Sequence, residues 1–159
     1  MIKALLLIGV LTCSSVFGAK EKKKELDEKT KKTLSAVFEQ NEKLHDAFFN
    51  YDAKKVEEEA EKLEEEIEKI KAPEISKLLK FSKEKLDEIE DDKDRKENNQ
   101  NYHLVSMALI HVMNTYDVGD KYAAFQCPMV KKKWIQNKEK QKQVMNPYAP
   151  EMPHCGAMD

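Results

Sequence analysis

The chain has 159 residues, enough for one domain with a modest hydrophobic core. It carries 28 Lys and Arg against 30 Asp and Glu, a formal net charge of −2, and the two signs are interleaved along the sequence. Interleaved charge provides no basic groove for a phosphate backbone, which argues against nucleic-acid binding. Only four residues are glycine, and the prevalence of Ala, Glu, Lys and Leu is typical of helical proteins.

Residues 1–18 have the pattern of an export signal, with a positively charged start, an apolar run over 4–11 and a cleavage site before Ala19. The run is shorter than the roughly 20 apolar residues that span a bilayer, so we expect no stable membrane insertion. Cys13 follows a threonine rather than the Gly or Ala usual in lipoprotein signals, so a lipid anchor there is the minor alternative. We therefore predict a periplasmic or secreted protein.

The rest of the chain is predicted to be an all-α protein. Residues 19–29 are polar and are expected to form a disordered lead-in, and 30–159 are expected to form a single helical domain. Apolar residues at 3- and 4-residue spacing predict four helices, over about 30–50, 53–71, 74–91 and 98–116. Asp52 is the expected N-cap of the second helix. Helices of this length with short connections favour an antiparallel up-down four-helix bundle.

Residues 117–159 are expected to form an irregular C-terminal strap that folds back across the bundle. Prolines prevent a long helix in this segment, and they occur at positions 128, 147, 150 and 153. Its aromatic residues Phe125, Trp134 and Tyr148 are expected to anchor the strap by packing rather than to contact a ligand.

The strap also contains most of the soft-metal ligands of the chain. Cys127 and Cys155 are the only cysteines after the leader, and Met129, Met152 and His154 lie close to them in sequence. Thiolate, thioether and imidazole groups are ligands that select Cu(I) over hard cations. These five residues are therefore a candidate site for Cu(I) or Ag(I).

A disulfide between Cys127 and Cys155 is the alternative, because paired cysteines in an exported protein commonly oxidise. Such a bond would close a loop of about 30 residues and stabilise the fold by about 3 kcal/mol in the chain-entropy model. The two alternatives can also be two redox states of one site. The residues alone leave the choice open.

Further candidate ligands lie on the fourth predicted helix. His103, Met107 and His111 are spaced i, i+4 and i+8, so they share one face of that helix. His103 and His111 could lend an imidazole to a metal held under the strap, and the alternative is that both are ordinary packed or surface residues. His45 is expected to lie on a helix surface.

Motifs of common enzyme classes are absent from the sequence. It contains no Gly-x-Ser-x-Gly, no phosphate-binding loop and no His-Glu-x-x-His. It also lacks Cys-x-x-Cys, the motif of thioredoxin-like exchange, and Cys-x-x-Cys-His, the motif of covalent haem attachment. We therefore predict that the protein is not an enzyme.

The last third of the chain contains a series of short motifs, in the order Tyr122, Cys127-Pro128-Met129, Trp134, Asn146-Pro147-Tyr148, Met152 and Cys155-Gly156. This series resembles the C-terminal signature of the domain of unknown function 3347 family. Two departures are visible. Ala149-Pro150 stands where members have an aromatic residue and a glycine, and Lys131-Lys132-Lys133 make the stretch before the tryptophan shorter and more basic.

The resemblance implies an exported helical domain linked to heavy metals, because some members of that family are fused to periplasmic adaptors of copper and silver efflux pumps. It implies a copper-efflux or copper-delivery protein as the partner. From residues and resemblance together we predict an exported protein that binds Cu(I) or Ag(I) and buffers it or hands it on. The alternative is a structural or interaction module tied by the disulfide.

Overall fold

The structure, a computed structural model, describes residues 22–159, so the predicted export signal and Cys13 lie outside the described residues. The elements in chain order are α1 (Glu28–Asn50), α2 (Ala53–Glu68), α3 (Pro73–Leu78), α4 (Lys80–Asp87), α5 (Arg95–Thr115), β1 (Tyr122–Cys127), β2 (Lys132–Asn137) and β3 (Ala157–Met158). The three strands form one antiparallel sheet in the order β2-β1-β3. The prediction of an all-α four-helix bundle with an irregular strap over 117–159 is therefore wrong.

The strap contains a β-hairpin because its prolines prevent helix without preventing strand. Phe125, Trp134 and Ile135 are strong β-formers that pack well on a pleated surface, and Phe125 pairs directly with Trp134 in the β1–β2 register. Pro128 falls in the loop between the strands, where no ladder N–H is needed. Lys131 ends that loop with a left-handed backbone, φ 54°.

The three long helices begin alike. Asp27, Asp52 and Asp94 have extended backbones, and each side chain accepts a hydrogen bond from the amide three residues later. This satisfies one of the amides that a helix leaves unpaired at its start. The predicted N-cap at Asp52 is confirmed.

The helix predicted over 74–91 is two helices, α3 and α4. Leu79 separates them with φ −92° and ψ 2°, outside the helical region. Its amide still donates to the carbonyl of Ile75 at 3.0 Å, so the backbone turns without losing its last α3 hydrogen bond. Leu79 is fully buried, and apolar spacing alone did not reveal the break.

The helices and the hairpin share one core. α1 packs on α2, α2 on α4 and α4 on α5, while β2 packs against both α1 and α5. Between α1 and α5 the rings of Phe48 and Tyr102 stack with their centroids 4.5 Å apart, a geometry that adds to the stabilisation from buried area. The hairpin therefore rests on the same two helices that meet at this aromatic pair.

The lead-in predicted to be disordered over 19–29 is described from residue 22. There the amide of Lys24 donates to the carbonyl of Thr115 at 2.8 Å, and its carbonyl accepts from the amide of Asp117 at 2.9 Å. Residues 28 and 29 already belong to α1. Among the described helices, none is long and apolar enough to cross a membrane.

Glu42 of α1 holds the open end of the hairpin. Its carboxylate accepts hydrogen bonds from the Asn137 side-chain amide at 2.9 Å, the Tyr122 hydroxyl at 3.2 Å and the Lys140 ammonium at 2.7 Å. Burial opposes its ionisation, but the hydrogen bonds from Asn137 and Lys140 outweigh burial and lower the pKa of Glu42 from its usual 4.5. The ionised carboxylate is therefore the form that stabilises the fold.

We expect Glu42→Gln to lower the free energy of unfolding by about 1–2 kcal/mol at pH 7, because charge-assisted hydrogen bonds are lost. A carboxyl with a lowered pKa stabilises above its unfolded-state pKa and loses that contribution as the pH falls through its folded-state value. The difference from wild type should therefore shrink below about pH 4. Urea unfolding at both pH values measures it, with exposed Glu65→Gln on α2 as the control that should change little. A difference that is equal at both pH values would contradict the role of Glu42.

Candidate thiol and metal site

Cys127 and Cys155 lie in direct contact, with their Sγ atoms 2.6 Å apart. Cys127 is the last residue of β1 and only 1% exposed, whereas Cys155 is half-buried in the tail just before β3. Both are free thiols in this structure. Since a disulfide joins sulfurs at about 2.05 Å, the fold already brings this pair within reach of covalent closure.

Gly156 fixes where the tail meets the hairpin. Its φ is 150°, and a Cβ at this position would lie 2.7 Å from Cη2 of Trp134 and 2.9 Å from the carbonyl oxygen of Gln126. Only glycine permits this close approach of backbone to ring. Because Cys155 precedes Gly156 directly, the contact also sets the position of the second sulfur.

Asn146 stabilises the turn of the tail through buried hydrogen bonds. It is 2% exposed, and its amide donates to the carbonyl of Pro153 at 2.8 Å. Its side-chain oxygen accepts from the amide of Tyr148 at 3.0 Å, and its Nδ2 donates to the carbonyl of Cys155 at 3.0 Å. The Asn146 side chain is also among the causes that lower the pKa of Cys127. One buried amide side chain therefore joins Tyr148 to Cys155.

The two thiols are not equivalent. Burial opposes ionisation of Cys127, but hydrogen bonds from the Cys155 thiol and from the amides of Val130 and Met129 outweigh burial and lower the pKa of Cys127. The pKa of Cys155 is raised, first because its thiol donates to Cys127 and then because of burial. Cys127 is therefore the more acidic thiol of the pair, because the backbone of the hairpin loop favours its ionised form.

The other residues of the predicted site in the C-terminal segment are close to the cysteines in sequence. Met129 is in the hairpin loop and 68% exposed, and Met152 is half-buried in the tail. His154 is exposed, and its Nδ1 donates to the carbonyl of Val144 at 2.7 Å. A carbonyl only accepts, so this bond leaves the lone pair of a neutral His154 on Nε2, the arrangement of many metal-binding histidines.

The structure does not bring the two helix histidines to the cysteines. Nδ1 of His103 accepts from the amide of Lys133 at 3.2 Å, and burial lowers the pKa of His103. This hydrogen bond occupies one ring nitrogen with the backbone of β2. His111 is exposed on α5. Within residues 22–159, no three His, Cys, Asp or Glu side chains form a group that could hold a metal ion.

His45, expected on a helix surface, is 1% exposed, so that expectation is wrong. Its Nε2 lies 2.8 Å from the carbonyl of Met145, so it donates there and joins α1 to the residue before Asn146. The signal was in the sequence: His45 follows Asn41 by four residues and precedes Phe48 by three, which places it on the apolar stripe of α1.

No family model, no curated protein and no solved structure matches this chain. The resemblance to the domain of unknown function 3347 family therefore stands on the short motifs of the last third alone.

Gly156→Ala should lower the free energy of unfolding by about 2–4 kcal/mol, because the methyl group meets both the Trp134 ring and a strand carbonyl and the backbone conformation is strained. The matched control is Gly119→Ala. Gly119 also has a positive φ, 82°, but its Cβ would meet nothing within 4 Å, so about 1 kcal/mol is expected. Denaturant unfolding compares them, and equal losses would show that the close approach contributes nothing.

Asn146→Asp should lower the equilibrium constant for closing the Cys127–Cys155 disulfide with glutathione about tenfold. The reason is that the variant loses the hydrogen bond from Nδ2 to the carbonyl of Cys155. The variant keeps the side-chain oxygen that accepts from Tyr148. Asn101→Asp is the control, since Asn101 is also buried and donates from Nδ2 to a backbone carbonyl, that of Glu88 at 3.2 Å. If both variants shift the glutathione equilibrium alike, Asn146 has no specific role at the thiols.

Proposed function

We propose that this protein is an exported soft-metal binding protein in which the thiolates of Cys127 and Cys155 bind Cu(I) or Ag(I). The observation that carries the proposal is the contact between their sulfur atoms, 2.6 Å apart, from two segments 28 positions apart in sequence. Soft monovalent cations accept thiolate ligands in preference to oxygen ligands. Two adjoining thiols are the minimum that such a site requires.

The surroundings of Cys127 support a bound cation. A thiol must lose its proton to become a ligand, and the amides of Val130 and Met129 already favour the thiolate of Cys127. A cation between the sulfurs requires them to move apart. Cys155 is the less buried of the two, so we assign that movement to the tail.

Further candidate ligands adjoin the cysteines in sequence, for a cation that takes more than two. Met129 follows Cys127 by two residues and exposes its thioether in the same loop. His154 adjoins Cys155 and has its Nε2 lone pair available in the neutral form. These two lie nearer to the cysteines in sequence than His103 or His111, so we propose them as the accessory ligands. Met152, whose carbonyl accepts from the amide of Cys155 at 3.0 Å, completes the proposed set.

The second candidate is a non-enzymatic structural or interaction module with a permanent Cys127–Cys155 disulfide and no metal. The same short sulfur separation favours it, and export would place the pair where such bonds persist. In that case the bond would link the end of β1 to the residue before Gly156. Its role would be to keep the tail on the hairpin.

We also propose that the metal passes to a copper-efflux or copper-delivery protein in the periplasm or outside the cell. The basis for this step is the resemblance of the motifs. Nothing in the proposed role requires an enzymatic step. Cu(I) is the cargo of this site, held for buffering or for handover.

With its thiols reduced, the protein should bind one Cu(I) more tightly than micromolar in competition with a chromogenic chelator. Cys127→Ser with Cys155→Ser should abolish binding, and Met129→Leu should weaken it by less than the loss of either cysteine. Thiol counting after aerobic purification separates the candidates. Two unreactive cysteines with or without copper, together with a double variant that only melts at a lower temperature, would leave the disulfide module as the function.

A further inference from the structure

The hairpin and the loop after it carry a local positive charge. Between residues 121 and 143 the chain has seven lysines and one glutamate, although its formal net charge is −2. Helix α2 has the opposite balance, with eight glutamates and three lysines over residues 53–68. α2 packs on α1 and α4, whereas β2 packs on α1 and α5, so the acidic helix does not neutralise the basic hairpin.

Three of these lysines lie at the end of the hairpin that contains Cys127. The strand register pairs Cys127 with Lys132 and Gln126 with Lys133. The amide of Lys131 donates to the carbonyl of Cys127 at 2.9 Å and closes the loop. We call Lys131, Lys132 and Lys133 the loop lysines. They therefore share one end of the sheet with Cys127 and with exposed Met129.

Two of the loop lysines lack an acidic neighbour among residues 22–159. Lys133 forms an ion pair with Asp159. Lys132 contacts the side-chain oxygen of Gln100 and lies 5.7 Å above the Tyr148 ring, and Lys131 is exposed. Within the described part of the chain neither of them contacts a carboxylate. Neighbouring positive charges repel one another, so a negative surface that approaches this end of the hairpin would relieve the repulsion.

We propose that the protein hands its metal to an acceptor protein that presents an acidic surface to the loop lysines; this rests on the proposed metal-binding function. Opposite charges on two partners accelerate their encounter and orient it. The loop also presents the Met129 thioether beside the cysteines, so a partner docked here can reach the metal. An anionic membrane surface would satisfy the charges, but a lipid headgroup offers no soft ligand to accept Cu(I).

The test measures how fast Cu(I) leaves the loaded protein for two chelators with the same ring nitrogens, bathocuproine disulfonate, which is a dianion, and neocuproine, which is uncharged. The variant is Lys131→Asn with Lys132→Gln, in which asparagine suits the left-handed backbone of position 131. Lys71→Gln with Lys77→Gln is the control, because these lysines are exposed on the segment around α3.

At low ionic strength the loop variant should slow transfer to the dianion by about tenfold, and added salt should remove the difference. Transfer to the uncharged chelator, and both rates of the control, should stay within about twofold of wild type. Equal slowing with both chelators would show that removing the loop lysines tightens the hold on the metal whatever the charge of the acceptor, and would overturn the inference, as would no slowing at all. Lysine-dependent sedimentation with vesicles of anionic phospholipid would overturn it in favour of a membrane surface.

Failure of this inference is distinct from failure of the proposed function. If the reduced protein does not retain Cu(I), the function falls and this inference falls with it. If it retains Cu(I) and releases it at rates independent of charge, the inference alone is overturned.

Discussion

The close approach of the Gly156 backbone to the buried ring of Trp134 is the contact on which the rest of the C-terminal structure depends. A side chain at position 156 would hold the tail away from β1 and β2. With glycine there, β3 pairs with the outer edge of β1, and Cys155 lies against Cys127. The buried hydrogen bonds of Asn146 then hold the returning loop in the one conformation that keeps the sulfurs together. The packing of the tail on the hairpin therefore brings the two thiols together.

The three long helices could be predicted from the sequence, whereas the break between α3 and α4 and the sheet could not. α1 and α2 bury apolar residues at regular helical spacing and begin at aspartate N-caps, so local signals suffice for them. A half-buried strand alternates buried and exposed residues, but in β2 all four residues from Trp134 to Asn137 are buried. Helices α1 and α5 pack on this strand, and the tail also covers it at Gln136, which hydrogen-bonds to Gln143 and Met145. Together these contacts remove the period of two. The prolines were then the strongest local signal, and they only exclude helix.

The same distinction between local and tertiary information applies to the site. Ligand chemistry pointed to Cys127 and Cys155, and composition alone sufficed for that. The hydrogen bonding of His103 depends on β2, since the amide of Lys133 donates to its Nδ1. The spacing of residues along a helix cannot reveal this contact. Asn146 belongs to a motif visible in the sequence, but its hydrogen bond to the carbonyl of Cys155 arises only after the tail has turned back. Tertiary contacts therefore decided which polar residues reach the thiols.

The unequal environments of the two cysteines bear on how a single site could serve both proposed states. The amides of Met129 and Val130 belong to a loop set by the hairpin, so their support for the Cys127 sulfur is present whether that sulfur bonds to a metal or to Cys155. Cys155 lies on the tail, whose position depends on Gly156 and Asn146. After an external thiol has reduced the disulfide, metal binding would therefore require structural adjustment on one side only. That places the energetic difference between the two states in the tail contacts rather than in the core shared by α1, α5 and the hairpin.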